Sequence, residues 1–186
     1  MIAKTVEYIC SELNLDTPAE IGDVARLETS KVPEGDMDKN VVVTLVNIEE
    51  EKTLKNGSAY VQNGDVLNKR NPTVFLNLYV LFSCSHTVYA QALTRISKVV
   101  LFFQRKNVFT PENVGTGLVF PAEAGVEKII LDLFTLNFEQ INHLWGILGG
   151  KYTPSVLYKF RIVAVQNAKP EEASVVKEIQ ADANLK

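Results

Sequence analysis

Cys84 and His86, separated only by Ser85, are the residues whose types could form a nucleophile and its base. A thiolate beside an imidazole is the arrangement used for covalent hydrolysis, but the two side chains must meet in space, and closeness in sequence does not ensure that. Cys84 lies where an apolar segment ends, and the same Cys-x-His spacing has no second cluster that would complete a zinc site. His143, the other histidine, falls inside an apolar helical stretch, where a packed or capping role is expected. The run Glu49-Glu50-Glu51 offers carboxylates, yet consecutive charges ordinarily make a solvated face. Gly115-Thr116-Gly117 and Gly149-Gly150-Lys151 match neither the phosphate loop nor the dinucleotide fingerprint. No catalytic constellation is assembled, so the sequence is read as a non-enzyme with no cofactor and no metal.

The elements around these residues point to assembly. The chain has 186 residues, enough for one domain with a substantial core. Hydrophobic residues make up 46% and charged residues 22%, the composition of an ordinary globular protein. A net charge of −3 leaves no basic excess for nucleic acid. Cys10 and Cys84 sit in apolar segments and read as buried, reduced thiols. The N-terminus lacks the features of a signal peptide, and the apolar runs are too interrupted to span a bilayer. A soluble product of a reducing compartment, not inserted in a membrane, is the expectation.

Ile2, Val6, Ile9 and Leu13 recur at helical spacing and predict a helix over 2–14. Residues 14–40 read as irregular, with a short strand at 21–27. Val41–Ile48, apolar on both faces, predicts a central strand. Residues 55–71 carry turn signals and read as a solvated loop or extended hairpin, or as an arm reaching a neighbouring subunit. Thr73–Ser83 predicts a strand with Val74, Leu76, Leu78, Val80 and Phe82 on its buried face. A helix over 86–105 is expected to bury Tyr89, Leu93, Ile96, Val100 and Phe103, with Ser85 as its cap. Residues 107–124 read as a turn-rich link and 126–136 as a strand.

Asn137 and Gln140 predict a reciprocal capping box. The helix they open would bury Phe138, Ile141, Leu144, Trp145 and Leu148 and stop at Gly149-Gly150. A last strand alternates Val156, Tyr158, Phe160, Ile162 and Ala164 against Lys159 and Arg161. The order implies a single α+β domain over 1–167, a mostly antiparallel sheet of about four strands packed by helices. Residues 168–186 read as a flexible charged tail.

The run Asn142-His143-Leu144-Trp145-Gly146 through Gly149-Gly150-Lys151-Tyr152-Thr153-Pro154-Ser155-Val156-Leu157-Tyr158-Lys159 resembles the C-terminal signature of a known family. Val46-Asn47-Ile48-Glu49-Glu50-Glu51, Leu54-Lys55-Asn56 and Asn71-Pro72-Thr73-Val74-Phe75-Leu76-Asn77-Leu78-Tyr79 extend the resemblance over about residues 1–165. It is similar to the cap, or tail-terminator, family of phage-tail-like contractile injection systems of the anti-feeding-prophage type. That resemblance implies a tail-terminator fold assembled as a ring, typically a hexamer. The ring would sit on the last layer of the inner tube protein and hold the end of the sheath protein. It would assemble in the bacterial cytoplasm and then form part of the particle.

Candidate subunit, tube or sheath contacts are Glu49, Glu50, Glu51, Lys55, Asn71, Trp145, Lys151, Tyr152, Lys159 and Arg161. For Trp145 and Phe138 a place in the core competes with an interface role. Two other functions stay open: an adaptor of the same fold tethering the particle to a membrane or cargo through its tail, and a hydrolase built on Cys84 and His86.

Overall fold

A computed structural model describes residues 1–16, 41–51, 60–63, 66–69, 75–149, 152–164 and 171–172. Helix α1 runs over Ile2–Asp16 and buries the predicted stripe of Val6, Ile9 and Leu13. Strands β1 (Val41–Glu50), β2 (Tyr60–Asn63), β3 (Val66–Lys69) and β4 (Leu76–Cys84) follow. Then come α2 (Tyr89–Arg105), β5 (Val108–Phe109), β6 (Val126–Phe134), α3 (Phe138–Ile147), β7 (Ser155–Ala164) and β8 (Glu171–Glu172).

Five of the strands form one sheet in the order β1-β4-β7-β6-β5, with every neighbouring pair antiparallel. The α+β expectation is met, with five strands in place of about four. The additional strand is β5, only two residues long and hidden in sequence inside the turn-rich link. Strands β2 and β3 pair as an antiparallel hairpin, which settles the loop-or-hairpin alternative for that part of 55–71. Strand β8 adds to the hairpin, Glu171 opposite Lys69 and Glu172 opposite Asn68. The strand expected at 21–27 lies outside the described residues.

Successive side chains of a strand face opposite sides of the sheet, and β4 is buried on both. Its Leu78, Val80 and Phe82 join α1, α2 and β7 in the larger core, where Phe82 meets Phe103 edge-on at 5.3 Å and Phe103 meets Tyr158 at 4.8 Å. Its Tyr79 and Leu81 face the other way, into a smaller core with Leu157 and Trp145 of α3. The domain is therefore three-layered, with α1 and α2 on one face of the sheet and α3 on the other.

That layering explains where the sequence expectations shift. Among the described residues, β1 lies at the edge of the sheet and not at its centre. Val41–Thr44 are buried, the residues from Asn47 to Glu50 are exposed, and Glu49 and Glu50 supply the charge that natural sheet edges carry. In α2, two apolar stripes compete. Docking on the sheet selects Ala92, Val99, Phe102 and Phe103 and leaves Tyr89 and Leu93 exposed.

Ser85 does not cap α2. The residue at that position is Val88, whose N–H donates to His86 Nδ1 at 2.9 Å. The Asn137 capping box forms as expected, Gln140 N–H to Asn137 Oδ1 at 2.8 Å and Asn137 N–H to Gln140 Oε1 at 3.0 Å. Trp145 is 4% exposed, but Phe138 is 92% exposed. It sits two turns, about 10 Å, before Trp145, where the sheet no longer covers it. Gly149 leaves the helix at φ +115, a conformation that favours glycine.

Candidate functional site

The register of the sheet brings several of the candidate interface residues to one place. Asn77 of β4 lies opposite Glu49 of β1 and Arg161 of β7, and Tyr79 lies opposite Lys159. Lys159 in turn faces Asp132 of β6. These side chains share the face that α3 covers further along.

The Tyr79 hydroxyl donates to Glu49 Oε2 at 2.9 Å, and Asn77 Nδ2 donates to Glu51 Oε2 at 3.0 Å. Lys159 Nζ stands 3.8 Å from the same Glu51 oxygen, and Arg161 Nη2 pairs with Asp132 Oδ2 at 2.7 Å. Burial, then the bond to Glu49, raises the Tyr79 hydroxyl above its ordinary pKa. The result is a band across the open half of the face: Glu49 and Glu51 beside β4, the neutral Asn77 and Tyr79 on it, Lys159 and Arg161 on β7, and Asp132 on β6.

Trp145 and Tyr152 lie on the same side. Their rings meet edge-on at 5.7 Å, with the tryptophan buried and Tyr152 62% exposed above it. Glu50 alternates to the opposite face of β1. Lys55, Asn71 and Lys151 lie outside the described residues. Mixed charge held in internal pairs suits recognition of a similarly mixed protein surface, where it contributes specificity more than affinity.

The candidate catalytic pair is not built. Cys84 is fully buried, and burial raises its thiol pKa even though Arg95 hydrogen-bonds it and pulls the other way. An activated nucleophile needs the opposite shift. His86 uses Nδ1 to receive the Val88 amide, and His143 is exposed on α3.

Cys10 is pushed up to about 12 by burial, with Glu7 adding to it. Both cysteines are therefore expected to resist a thiol reagent at pH 8 in the folded protein and to react within seconds once denaturant unfolds it. Rapid labelling of either in the native state would contradict the burial described. Among the described residues, no group of three His, Cys, Asp or Glu could hold a metal ion.

Two features escaped the sequence reading. The first is a buried ionic knot. Glu12 of α1, 3% exposed, accepts hydrogen bonds from Tyr8 Oη at 2.5 Å, Lys106 Nζ at 2.8 Å and Gly115 N–H at 2.8 Å. Lys106 also donates to the Asn113 carbonyl at 2.7 Å and lies 4.8 Å from the centre of the Phe109 ring. Only the four-residue spacing of Tyr8 and Glu12 signals it in the sequence. Alongside, an open cleft of about 310 Å³ runs between α1 and residues 118–124. The second feature is the outer face of α2, where Tyr89, Leu93 and Leu101 are exposed.

No helix among the described residues is long and apolar enough to cross a membrane. No curated protein matches the sequence. Among solved structures, the fold is similar to the anti-feeding prophage cap, described as a tube-terminating cap. The TM-score is 0.60 at 16% identity, covering 93% of this chain and 59% of that one. It is also similar to the sheath/tube terminator of the PVC extracellular contractile injection system in its extended state. There the TM-score is 0.58 at 15% identity, covering 98% of this chain and 65% of that one.

This chain therefore spans less than two thirds of the length of either structure, and at these identities the likeness is one of fold. The sequence itself matches the Pvc16 N-terminal domain over residues 6–178, which includes the Trp145-Gly146 to Tyr158 block and both sides of the charged band, and the chain belongs to that family.

Proposed function

We propose that this domain caps a phage-tail-like contractile injection particle, ending the inner tube and anchoring the last layer of the sheath. The observation that carries the reading is the family match over nearly the whole chain, joined to fold likeness with two terminators over 93% and 98% of it. A growing tube presents a free subunit surface. A ring of different sequence covers that surface without offering another, which stops growth.

The cap is a ring of copies of this chain, six-fold to match the tube, assembled in the bacterial cytoplasm and carried on the particle. Its contacts with tube and sheath use the charged band of Glu49, Glu51, Lys159 and Arg161 with Tyr152 on the same face, and further Glu50, Lys55, Asn71 and Lys151. The capping role is assigned to residues 1–167; tethering through the charged segment 168–186 belongs to the adaptor alternative and does not enter this reading. Neither a cofactor nor catalysis enters the reading.

Negative-stain electron microscopy of particles from cells with and without the gene tests it. Overlong tubes, or sheaths that slide off their tubes, are expected without the gene. Particles of normal, uniform length would reject the proposal.

A further inference from the structure

The three strands outside the main sheet repeat its order. The hairpin and the segment after β7 pair as β2-β3-β8, and three strands of the main sheet pair as β1-β4-β7. In the chain β1 runs on to β2, β3 to β4, and β7 to β8. The registers nearly continue as well. Extended without interruption, the pairing of Glu50 with Leu76 would set Tyr60 opposite Val66, and its partner is Lys69, three residues away. The pairing of Leu76 with Ile162 would likewise set Lys69 opposite Lys169, and its partner is Glu171, two residues away. The connections that enter β4 and leave β7, residues 70–75 and 165–170, each contain a proline. Pro72 and Pro170 have no N–H to give a ladder, which accounts for a sheet built in two parts.

We infer that the hairpin is an arm that prolongs the main sheet, and that β8 is the strap that keeps this arm ordered. An isolated two-stranded hairpin is marginally stable at best in water, and a third strand is the usual remedy. Strand β8 supplies it from the far end of the chain. The register also sets Lys69 opposite Glu171, and opposite charges at facing positions favour the pairing of strands.

The family match runs to residue 178, past β8, so the strap lies within the matched domain. A charged segment that reads in sequence as a free tail thus has a fixed partner. The inference goes beyond the cap reading and does not depend on it, because it gives part of 168–186 a task inside the domain.

Amide exchange of the full-length protein tests it, wild type against Glu171→Pro/Glu172→Pro. The two prolines remove the N–H groups that β8 can offer to β3 and leave every strand of the main sheet unchanged. Amides of 60–63 and 66–69 are expected to exchange at least about tenfold faster in the variant, while those of β4 and β7 keep their wild-type rates. Equal exchange of the hairpin in both proteins, fast or slow, would overturn the inference.

Cross-strand cysteines give an independent check. Asn68→Cys with Glu172→Cys, and Lys69→Cys with Glu171→Cys, put thiols at the two facing positions. Successive facing pairs alternate between two spacings, and both lie within disulfide reach. On mild oxidation at least one of the two variants is expected to form a disulfide within the chain. The native Cys10 and Cys84 are buried and do not compete. Hairpin amides of that variant are expected to exchange more slowly than in wild type. Disulfide-linked dimers would show that β8 straps the hairpin of another copy, and no disulfide in either variant would show that it straps none. Either result overturns the inference.

Discussion

Glu12→Ala is expected to lower the unfolding free energy by about 3 to 5 kcal/mol, the usual cost of breaking a buried ion pair by removing one partner. The carboxylate joins α1 to Lys106 and to Gly115, which lie 94 and 103 residues away in the chain. Its loss strands the Lys106 ammonium, the Tyr8 hydroxyl and the Gly115 amide together. The Lys106 side chain is 24% exposed and can regain some water, which places the effect towards the lower end of that range.

Burial by itself would raise the Glu12 pKa, but the bonds from Lys106, Tyr8 and Gly115 outweigh it and the carboxyl is held below its ordinary value. A depressed folded pKa contributes stability above the unfolded value, about 4.3, which is lost as the pH falls through the folded value. The difference between wild type and Glu12→Ala is therefore expected to be full at pH 7 and to shrink as the pH drops below about 4. Urea unfolding at a series of pH values measures it. A difference under about 1 kcal/mol at pH 7, the range of exposed pairs, would show that the knot is solvated.

That knot also marks where sequence reading reaches its limit. Short-range features were legible because their causes are local. The Ile2–Leu13 spacing gave α1, the Asn137–Gln140 box gave the start of α3, and the alternation from Val156 to Ile162 gave β7. Features decided by packing were not legible. The two stripes of α2 are both apolar and share Phe103, so only docking on the sheet chooses Ala92 and Val99 over Tyr89 and Leu93. A two-faced apolar run suggested a central strand at Val41–Ile48. Two-sided burial, however, needs layers on both faces of the sheet, and an edge strand in a three-layer domain has them too.

The candidate site divides in the same way. Its residue types stood in the sequence and the family resemblance pointed to them. That Glu49, Glu51, Lys159 and Arg161 lie on one face follows from the registers of β1, β4 and β7, which pair residues 26 or more positions apart. Glu50, one residue along, falls on the other face for the same reason.

Trp145→Ala is expected to cost about 3 to 5 kcal/mol and to release α3 ahead of the rest of the domain. The smaller core consists of four buried residues, Tyr79, Leu81, Trp145 and Leu157, edged by partly buried side chains that include Ile141, Leu144 and Phe134. Trp145 is the only fully buried residue that α3 contributes. A helix of ten residues is marginal in water without tertiary packing, so losing its one anchor removes most of the reason for it to stay folded. The larger core, on the other face of the sheet, shares β4 and β7 with it but none of the same side chains. Amide exchange should therefore quicken first in residues 138–148, while amides of β4 and α2 keep most of their protection.

Trp145→Phe, which still fills much of the space, is expected to retain at least half of the lost stability. Tyr152 rests edge-on against the Trp145 ring and Phe138 is held by the same helix, so the alanine variant is expected to displace both exposed aromatic side chains. If uniform exchange across both cores accompanied the loss, α3 would be an inseparable part of a single cooperative unit. If α3 stayed protected, Trp145 would not be its anchor.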